Sequence, residues 1–498
     1  MNFFGLINLA FTFYAAGRAI REGRIDWLYW SASLVIIGAS LVLPNSVTLP
    51  ELPNYIFDDD TPNRVAMFVL GFNVLVFLSY HTTRYKRVGW LNEASELFTV
   101  TRRINNAYLY QGPATSRRSA IGMCNTNLGH LRRNAIQILF LLVLCQLASM
   151  VCLVFVTGGS FSDMLEIRWT DIPEMYEGRS QYQYVLAVSA FLASSGAVAL
   201  SFTLRRGRIC ALLIVMGFLI SQMIGSRTFA IGGLWTVATL YVYKKHAYTL
   251  RQPLRSMLNN KTLRHFAIGA LVALTGYFSL TFIAWSRAHY SFGELLHSFP
   301  EAIADYHNEG KQNKTDPSIG ALFYTFEVFP NHLPYCRGLT YREMVLLPIP
   351  RFILQGFVDP DIRTNSFSGI ILARNLYGIE GGTARFGSIH PTIWGDAYAN
   401  FGYWGCLIGI GAGLFLALLE RLVSRNRLLT LLTLPLLAGT LLVYIRGSML
   451  HATLYLWYPL LMLFAGMWVG DRVIRLRICQ TERRTFYGFR KIISPTRR

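Results

Sequence analysis

The sequence predicts an all-α polytopic membrane protein with about eleven transmembrane helices and one large loop on the outer face of the membrane. Of its 498 residues, 53% are hydrophobic and only 15% are charged, whereas about a quarter are charged in a soluble globular chain. Mean hydropathy is +0.35, and apolar runs recur from the N-terminus almost to the C-terminus. The net charge of +20 does not indicate nucleic-acid binding, because Lys and Arg lie between these runs and not in one basic module.

The apolar runs define the predicted spans. A spanning helix needs about 20 mostly apolar residues, because a hydrocarbon core of about 30 Å is crossed at 1.5 Å per residue. The first and seventh runs are short, so a count of nine or ten spans also fits. The predicted spans are residues 3–18, 26–44, 64–81, 135–157, 184–204, 209–226, 228–243, 264–286, 401–420, 428–446 and 452–470.

The charge of the loops predicts the orientation, because Lys and Arg are retained on the cytoplasmic side. Segment 82–134 holds nine basic and two acidic residues, and segment 244–264 holds six basic residues and no acid. Both are predicted to lie inside. Segments 45–63 and 158–183 are mainly acidic and are predicted to lie outside. Alternation then places the long loop 287–400 on the outer face.

This organisation divides the chain into four parts. Residues 1–286 carry helices one to eight with basic cytoplasmic loops, 287–400 form the outer loop, 401–470 carry helices nine to eleven, and 471–498 form a basic cytoplasmic tail. The outer loop holds nine basic and eleven acidic residues, so topology does not explain its arginines. Its stretch 343–357 is apolar, interrupted by Pro and too short to span, which indicates an interfacial or re-entrant helix.

Four of the arginines on the predicted outer side are candidates for binding an anion. Arg227 occupies a tight turn between the sixth and seventh spans, Arg446 follows the tenth span, and Arg351 and Arg385 lie in the large loop. A charge at membrane depth is costly unless it faces a polar cavity or a partner. One interpretation is a guanidinium that binds two phosphate oxygens at once. The alternative for Arg227 is a side chain that extends to the lipid headgroups.

The end of the outer loop carries the strongest candidates for catalysis. Arg385, His390 and Asp396 fall within 12 residues of one another, just before the ninth predicted span. Histidine can remove a proton from an attacking hydroxyl near neutral pH. Asp396 is a second candidate, or a residue that caps or orients the following helix. No C-x-x-C pair, H-E-x-x-H or nucleotide-binding loop is present, so neither a metal nor a nucleotide cofactor is predicted.

The run from His390 to Gly405, HPTIWGDAYANFGYWG, leads directly into a predicted span. It resembles the signature of bacterial O-antigen and capsule repeat-unit polymerases of the Wzy type. Pro350-Arg351, a Gly-rich stretch and Asn-Phe-Gly-x-x-Gly occur in the same order in that family, and the Gly-Ser-Arg that ends at Arg227 resembles another family position. The resemblance covers residues 200–420 by motif and the remainder by hydropathy. This chain has Asp396 where many members have Glu.

The resemblance implies a membrane-embedded, metal-independent glycosyltransferase, similar to GT-C-like glycan polymerases, in the bacterial inner membrane with its active site facing the periplasm. Its donor would be a growing glycan on undecaprenyl pyrophosphate, and its acceptor a single lipid-linked repeat unit. The implied partners are the undecaprenyl-pyrophosphate-linked oligosaccharide and membrane lipid, with a chain-length regulator and a flippase as candidate protein partners. No cofactor is implied.

The resemblance also implies roles for individual residues. His390 would deprotonate the acceptor hydroxyl, with Asp396 as the second catalytic candidate, while Trp394 and Tyr398 would stack on sugar rings. Arginines would hold the two pyrophosphate groups, and these are Arg227, Arg351, Arg385 and Arg446.

Two other functions fit parts of the sequence. An O-antigen ligase would share the topology, the outer arginines and a loop histidine, but would transfer the glycan to a lipid A core or to protein. A flippase for lipid-linked oligosaccharides, or another transporter, would ordinarily show internal repeats and charges in the middle of several helices. The charges here gather at span ends and in one loop, and the Asn-Phe-Gly-x-x-Gly ending favours the polymerase.

The topology is open to a direct test. A cysteine introduced at Ser256, in the predicted inner segment 244–264, should not react with a membrane-impermeant reagent in intact cells and should react after lysis. Strong labelling before lysis would overturn the orientation.

Overall fold

The computed structural model describes residues 2–44, 56–83, 118–157, 181–224, 232–240, 289–309, 317–346, 390–423, 427–447 and 455–468, apart from single positions within these ranges, together with a few isolated residues. Over these residues the chain is mostly helical and contains no β-strand. The all-α class predicted from the sequence is confirmed for this part of the chain.

The helices are numbered here in chain order. The first seven are α1 (Phe3–Glu22), α2 (Trp27–Ile37), α3 (Thr61–Thr83), α4 (Arg118–Thr157), α5 (Gln181–Ser194), α6 (Gly196–Thr203) and α7 (Gly207–Ile224). The remainder are α8 (Phe292–His297), α9 (Phe299–Glu309), α10 (Pro317–Val328), α11 (Leu339–Leu346), α12 (Thr392–Phe401), α13 (Ile408–Val423), α14 (Arg427–Ile445) and α15 (Tyr455–Trp468), with a 3₁₀ turn, Gly402–Leu407, between α12 and α13.

Five helical segments are long and apolar enough to cross a membrane, which identifies a helical membrane protein. All five overlap spans predicted from the sequence. By length and composition they are Phe3–Ile20, Thr61–Thr83, Ala135–Val156, Leu186–Thr203 and Thr392–Leu422, the last of which contains α12, the 3₁₀ turn and α13 and reverses its direction at the turn. Shorter apolar helices include α2, α14 and α15, which also fall within predicted spans. Most of the predicted span 264–286 lies outside the described residues.

Helix α3 is the central element of the packing. Phe68, Phe72 and Val76 on this helix are buried in the main hydrophobic core. Helix α13 packs along α3 and runs parallel to it, since Cys406, just before α13, lies near the backbone of Phe68 and Arg421 near its other end contacts the carbonyl of Thr83. Two glycines on α13, Gly409 and Gly413, allow the two backbones to approach closely.

Helix α12 runs in the opposite direction along α3. The Trp394 ring packs edge-on against Phe72, with centroids 6.5 Å apart, and the Tyr398 ring packs against Phe68 at 5.6 Å. The chain then turns at Gly402, whose φ of +59° favours glycine. Residues 392–400, assigned from the sequence to the outer loop, are therefore a buried helix that folds back against the helix assembly.

Helix α10 lies beside α12 and runs parallel to it. The Phe326 and Tyr398 rings stack with centroids 3.7 Å apart, and a Cβ on Gly395 would lie 3.2 Å from Leu322 Cδ1. Near the end of α10, Glu327 Oε1 accepts a hydrogen bond from the Thr61 hydroxyl at 3.1 Å, at the start of α3. With 12 and 10 residues, α10 and α12 are each too short to span a bilayer.

The turn between α1 and α2 is fixed against the Thr83 end of α3 by a buried arginine. The Arg24 guanidinium contacts both carboxylate oxygens of Asp26, at 3.0 and 3.1 Å, and its NH1 lies 2.8 Å from His81 Nε2. The Trp30 indole N–H donates to the same carboxylate at 2.9 Å. Arg24 and Asp26 are buried, so this group of partners compensates the cost of removing two charges from water.

Two neighbouring glycines of α13 test the close contact with α3. A Cβ on Gly409 would lie 2.5 Å from the Phe72 carbonyl oxygen, whereas Gly411 has nothing within 4 Å. We expect Gly409→Ala to destabilise the protein by about 1–3 kcal/mol, because the backbone contact cannot relax cheaply. Gly411→Ala is the matched control and should be neutral or slightly stabilising. Equal thermal unfolding midpoints for the two variants in detergent would contradict this packing.

Candidate functional site

The N-termini of α10 and α12 meet at Arg446, just after the end of α14. The Thr392 backbone N–H donates to the Arg446 carbonyl oxygen at 3.1 Å, and Arg446 Nε donates to the Ser318 hydroxyl at 2.9 Å. Ser318 is the second residue of α10 and Thr392 the first of α12. We call the group Ser318, Thr392 and Arg446 the arginine junction.

The arginine junction has an unusual backbone conformation at Thr392. This residue has φ of +66°, which is rare for a β-branched side chain and costs free energy. Its hydroxyl accepts a hydrogen bond from the Gly395 N–H at 3.3 Å and so caps the helix start. Packing on all sides must hold this conformation, since Thr392 is completely buried.

The electrostatics of the junction favour an anion. The first N–H groups of a helix lack intrahelical partners and carry a partial positive charge. The start of α10 lies beside the Arg446 guanidinium, and the start of α12 contacts the backbone carbonyl of the same residue. Backbone N–H groups at a helix start, together with an arginine, are groups that bind phosphate in proteins. The sequence-predicted Arg446 is thus placed where it can neutralise a phosphate group.

His390 lies two residues before Thr392 and is partly buried. Pro391 follows it and restricts the backbone of His390 to extended conformations. Because Thr392 is hydrogen-bonded to Arg446, the backbone of His390 lies near the arginine junction. Two of the residues predicted from the sequence, His390 and Arg446, therefore lie in one region. Their proximity is not evident from the sequence, because more than 50 residues separate them.

Asp396 lies one turn after Thr392 on α12 and is completely buried. Its Oδ1 accepts a hydrogen bond from the Thr340 hydroxyl at 3.2 Å, which ties α12 to α11. The Asn400 amide donates to the Asp396 backbone carbonyl at 2.8 Å and to the Thr340 hydroxyl at 3.2 Å. Asp396 thus lies in a polar cluster and at least orients its helix.

The Asp396 carboxylate affects the pKa of one tyrosine and one cysteine side chain. Burial first, and then the negative charge of Asp396, raises the pKa of the Tyr341 hydroxyl well above its ordinary value. The same two causes raise the pKa of the Cys336 thiol to about 12. Both groups therefore keep their protons at neutral pH, and the Tyr341 hydroxyl remains a hydrogen-bond donor.

Trp394 and Tyr398, predicted to stack on sugars, are core residues in this structure. Their exposed fractions are 0% and 2%, and both rings face helix α3. The Trp394 indole N–H donates at 3.2 Å to Asn73 Oδ1, which also accepts from the Tyr29 hydroxyl at 2.8 Å. Asn8 receives a hydrogen bond from the Asn73 amide at 3.0 Å, so a buried polar network ties the start of α12 to α1, α2 and α3.

Three predicted arginines lie outside the described residues, and these are Arg227, Arg351 and Arg385. Sequence reasoning missed Ser318 and Thr340, which contact Arg446 and Asp396. Asp316-Pro317 before Ser318 is typical of a helix start and is a signal that was available. Thr340 carries no comparable signal, because its contact depends on how α11 packs.

Within the described residues, no group of three or more His, Cys, Asp and Glu side chains is arranged to hold a metal ion. Comparison of the chain with protein-family models, with curated proteins and with solved structures gives no match. The class that the fold defines is a helical membrane protein.

Gly447 tests the geometry of the arginine junction. It has φ of +103°, and a Cβ there would lie 2.5 Å from the Thr392 backbone nitrogen. Gly447→Ala should therefore destabilise the protein by about 1–3 kcal/mol through backbone strain and the contact with α12. Gly466→Ala, on α15, is the matched control because nothing lies within 4 Å of that position. Identical thermal unfolding of the two variants would show that the chain after Arg446 does not pack on Thr392.

Proposed function

We propose that this protein polymerises undecaprenyl-pyrophosphate-linked oligosaccharide repeat units, as its resemblance to Wzy-type polymerases implies. The observation that carries the proposal is the arginine junction, where Arg446 lies between the starts of two half-length helices. Such a site suits a pyrophosphate group, which is the leaving group of this reaction. His390, the proposed base, lies in the same region.

The proposal includes an orientation and a location. We propose an inner-membrane protein of about eleven spans, similar to GT-C-like polymerases, in which the acidic segment 45–63 and the Thr61 end of α3 face the periplasm. The Trp394 contact with Asn73 then lies about 18 Å along α3 from this end, at 1.5 Å per residue. The lipid-linked pyrophosphate would enter from the periplasmic side and reach a site below the membrane surface.

The chemistry assigns one role to each side chain. The acceptor hydroxyl oxygen attacks the anomeric carbon of the donor glycan, and the bond from that carbon to the pyrophosphate oxygen breaks. His390 takes the hydroxyl proton, and undecaprenyl pyrophosphate leaves with its negative charge stabilised by Arg446 and the helix starts. Arg227, Arg351 and Arg385 stay as predicted contacts for the two pyrophosphates.

A deletion strain tests this function against the alternatives. Without a polymerase, the surface glycan on a gel should collapse from a ladder to cores that carry a single repeat unit. Bare cores would instead indicate a ligase or a flippase, because either loss prevents any repeat unit from reaching the core. An unchanged ladder would remove the protein from this pathway.

Complementation of the deletion strain tests the two residues. Arg446→Gln should reduce polymerisation about 10- to 150-fold, the equivalent of a charge-assisted hydrogen bond of about 1.5–3 kcal/mol, and Arg446→Lys should restore part of it. His390→Gln should cost about 10² to 10⁴ in rate, because an amide can hold a hydroxyl but cannot take its proton.

The matched control is Arg206→Gln, which removes an exposed arginine from the turn between α6 and α7 and should leave the ladder unchanged. All variants are compared at equal protein level in the membrane. A normal ladder with Arg446→Gln would contradict the anion role, and a normal ladder with His390→Gln would remove the histidine from the mechanism.

A further inference from the structure

Helix α12 carries two different faces. Thr392, Asp396 and Asn400 are spaced by four residues and lie on one face, while Trp394 and Tyr398 lie on the aromatic face toward α3. All five residues are buried. The polar face starts at the arginine junction and runs along the helix toward α11.

The far part of this face is a polar cluster formed by Thr340, Tyr341, Asp396 and Asn400. The Thr340 hydroxyl donates to Asp396 Oδ1 and accepts from the Asn400 amide, both at 3.2 Å. Tyr341 directly follows Thr340 on α11 and lies in the same helical turn as it. The Tyr341 ring stacks on Phe401 with centroids 5.6 Å apart.

The polar cluster has unused hydrogen-bonding capacity. Asn400 Oδ1 and the Tyr341 hydroxyl are both buried, and neither has a hydrogen-bond partner among the residues that the structure describes. Asn400 is only 1% exposed. A buried polar atom without a partner costs about 1–3 kcal/mol, so two of them in one cluster need a reason. One is an acceptor and the other, as a protonated hydroxyl, is a donor.

We propose that the polar cluster binds sugar hydroxyl groups of the lipid-linked saccharide whose pyrophosphate is held at the arginine junction. Sugar hydroxyls both donate and accept hydrogen bonds, so they match the oxygens of Asp396 and Asn400 and the hydroxyl of Tyr341. The inference rests on the proposed function and deepens it. Trp394 and Tyr398 are core residues, so sugar binding is assigned instead to the opposite face of α12, which carries Asp396 and Asn400.

The placement of the cluster suits a substrate of this kind. Asp396 and Asn400 lie about 6 and 12 Å from Thr392 along the helix axis, at 1.5 Å per residue. Helix α12 runs from the arginine junction toward the Thr61 end of α3, which the proposed topology places at the periplasm. A saccharide that extends outward from the pyrophosphate would therefore pass along this face. Tyr341 is a partly buried residue, so the cluster lies near the surface of the described helices.

Tyr341→Phe separates a binding role from a structural one. The variant keeps the ring and its stacking on Phe401 and removes only a hydroxyl that has no hydrogen-bond partner among the described residues. If the cluster served only to join α11 to α12, the variant would be neutral or slightly stabilising in every measurement. If the hydroxyl contacts the substrate, the variant should fold normally and bind the saccharide less well.

The experiment measures binding of two lipids to the full-length protein in lipid nanodiscs. One lipid is undecaprenyl pyrophosphate, and the other is undecaprenyl pyrophosphate that carries the host's repeat unit. Tyr341→Phe should weaken binding of the saccharide-bearing lipid about three- to tenfold, the range expected for one neutral hydrogen bond, and leave undecaprenyl pyrophosphate unchanged. Arg446→Gln should weaken both. Tyr14→Phe, which removes a hydroxyl from an exposed ring on α1, is the matched control and should change neither.

The possible results separate the two proposals. If Tyr341→Phe binds the saccharide-bearing lipid as tightly as the wild type, the sugar site is overturned while the phosphate site stands. If it weakens both lipids equally, the residue acts on the phosphate site or on the fold, and the sugar site is again overturned. If the wild type binds neither lipid, the proposed function fails and the sugar site fails with it.

Discussion

The structure depends on how the starts of two short helices are satisfied inside an apolar assembly. A helix leaves its first N–H groups without intrahelical partners, and in a membrane protein water cannot supply them where lipid surrounds the chain. Arg446 solves part of this problem for α12, because its carbonyl accepts from the Thr392 N–H, and its guanidinium holds the start of α10 at the same point by donating to the Ser318 hydroxyl. The same partial positive charges that require satisfaction make the junction a favourable place for an anion.

The rest of the packing holds this junction in place. Helix α13 approaches α3 closely through Gly409 and Gly413, and α12 is tied to the other helices by the hydrogen bonds of Asn73. A hydrogen bond inside an apolar region is directional, whereas apolar packing alone permits small shifts. The Asn73 network thereby fixes the rotation of α12 and decides which of its two faces is turned toward the aromatic core and which toward α11.

The charged side chains of two regions have different roles: Arg24 and Asp26 are buried, whereas Arg446 is partly buried. Arg24 and Asp26 are partners in a group that joins the turn between α1 and α2 to the Thr83 end of α3. At the arginine junction, by contrast, Arg446 donates to the neutral Ser318 hydroxyl at the start of a helix. A buried ion pair satisfied by its own neighbours serves the fold, while a guanidinium beside a helix start favours a ligand that brings negative charge.

The sequence by itself determined the class of the protein and the identity of some site residues. Long apolar runs can be satisfied only as helices in a membrane, so α1, α3, α4 and the helix pair α5 and α6 were predictable from composition. Arg446 was predictable because an arginine at the end of an apolar run needs a local cause. Only the tertiary structure decided that residues 392–400 fold back as a buried helix, because hydropathy does not distinguish a helix that spans from one that returns. It also decided that Trp394 and Tyr398 belong to the core and that Ser318 and Thr340 contact the candidate site residues Arg446 and Asp396. The sequence does not show these contacts, because they join residues that are 56 to 128 positions apart.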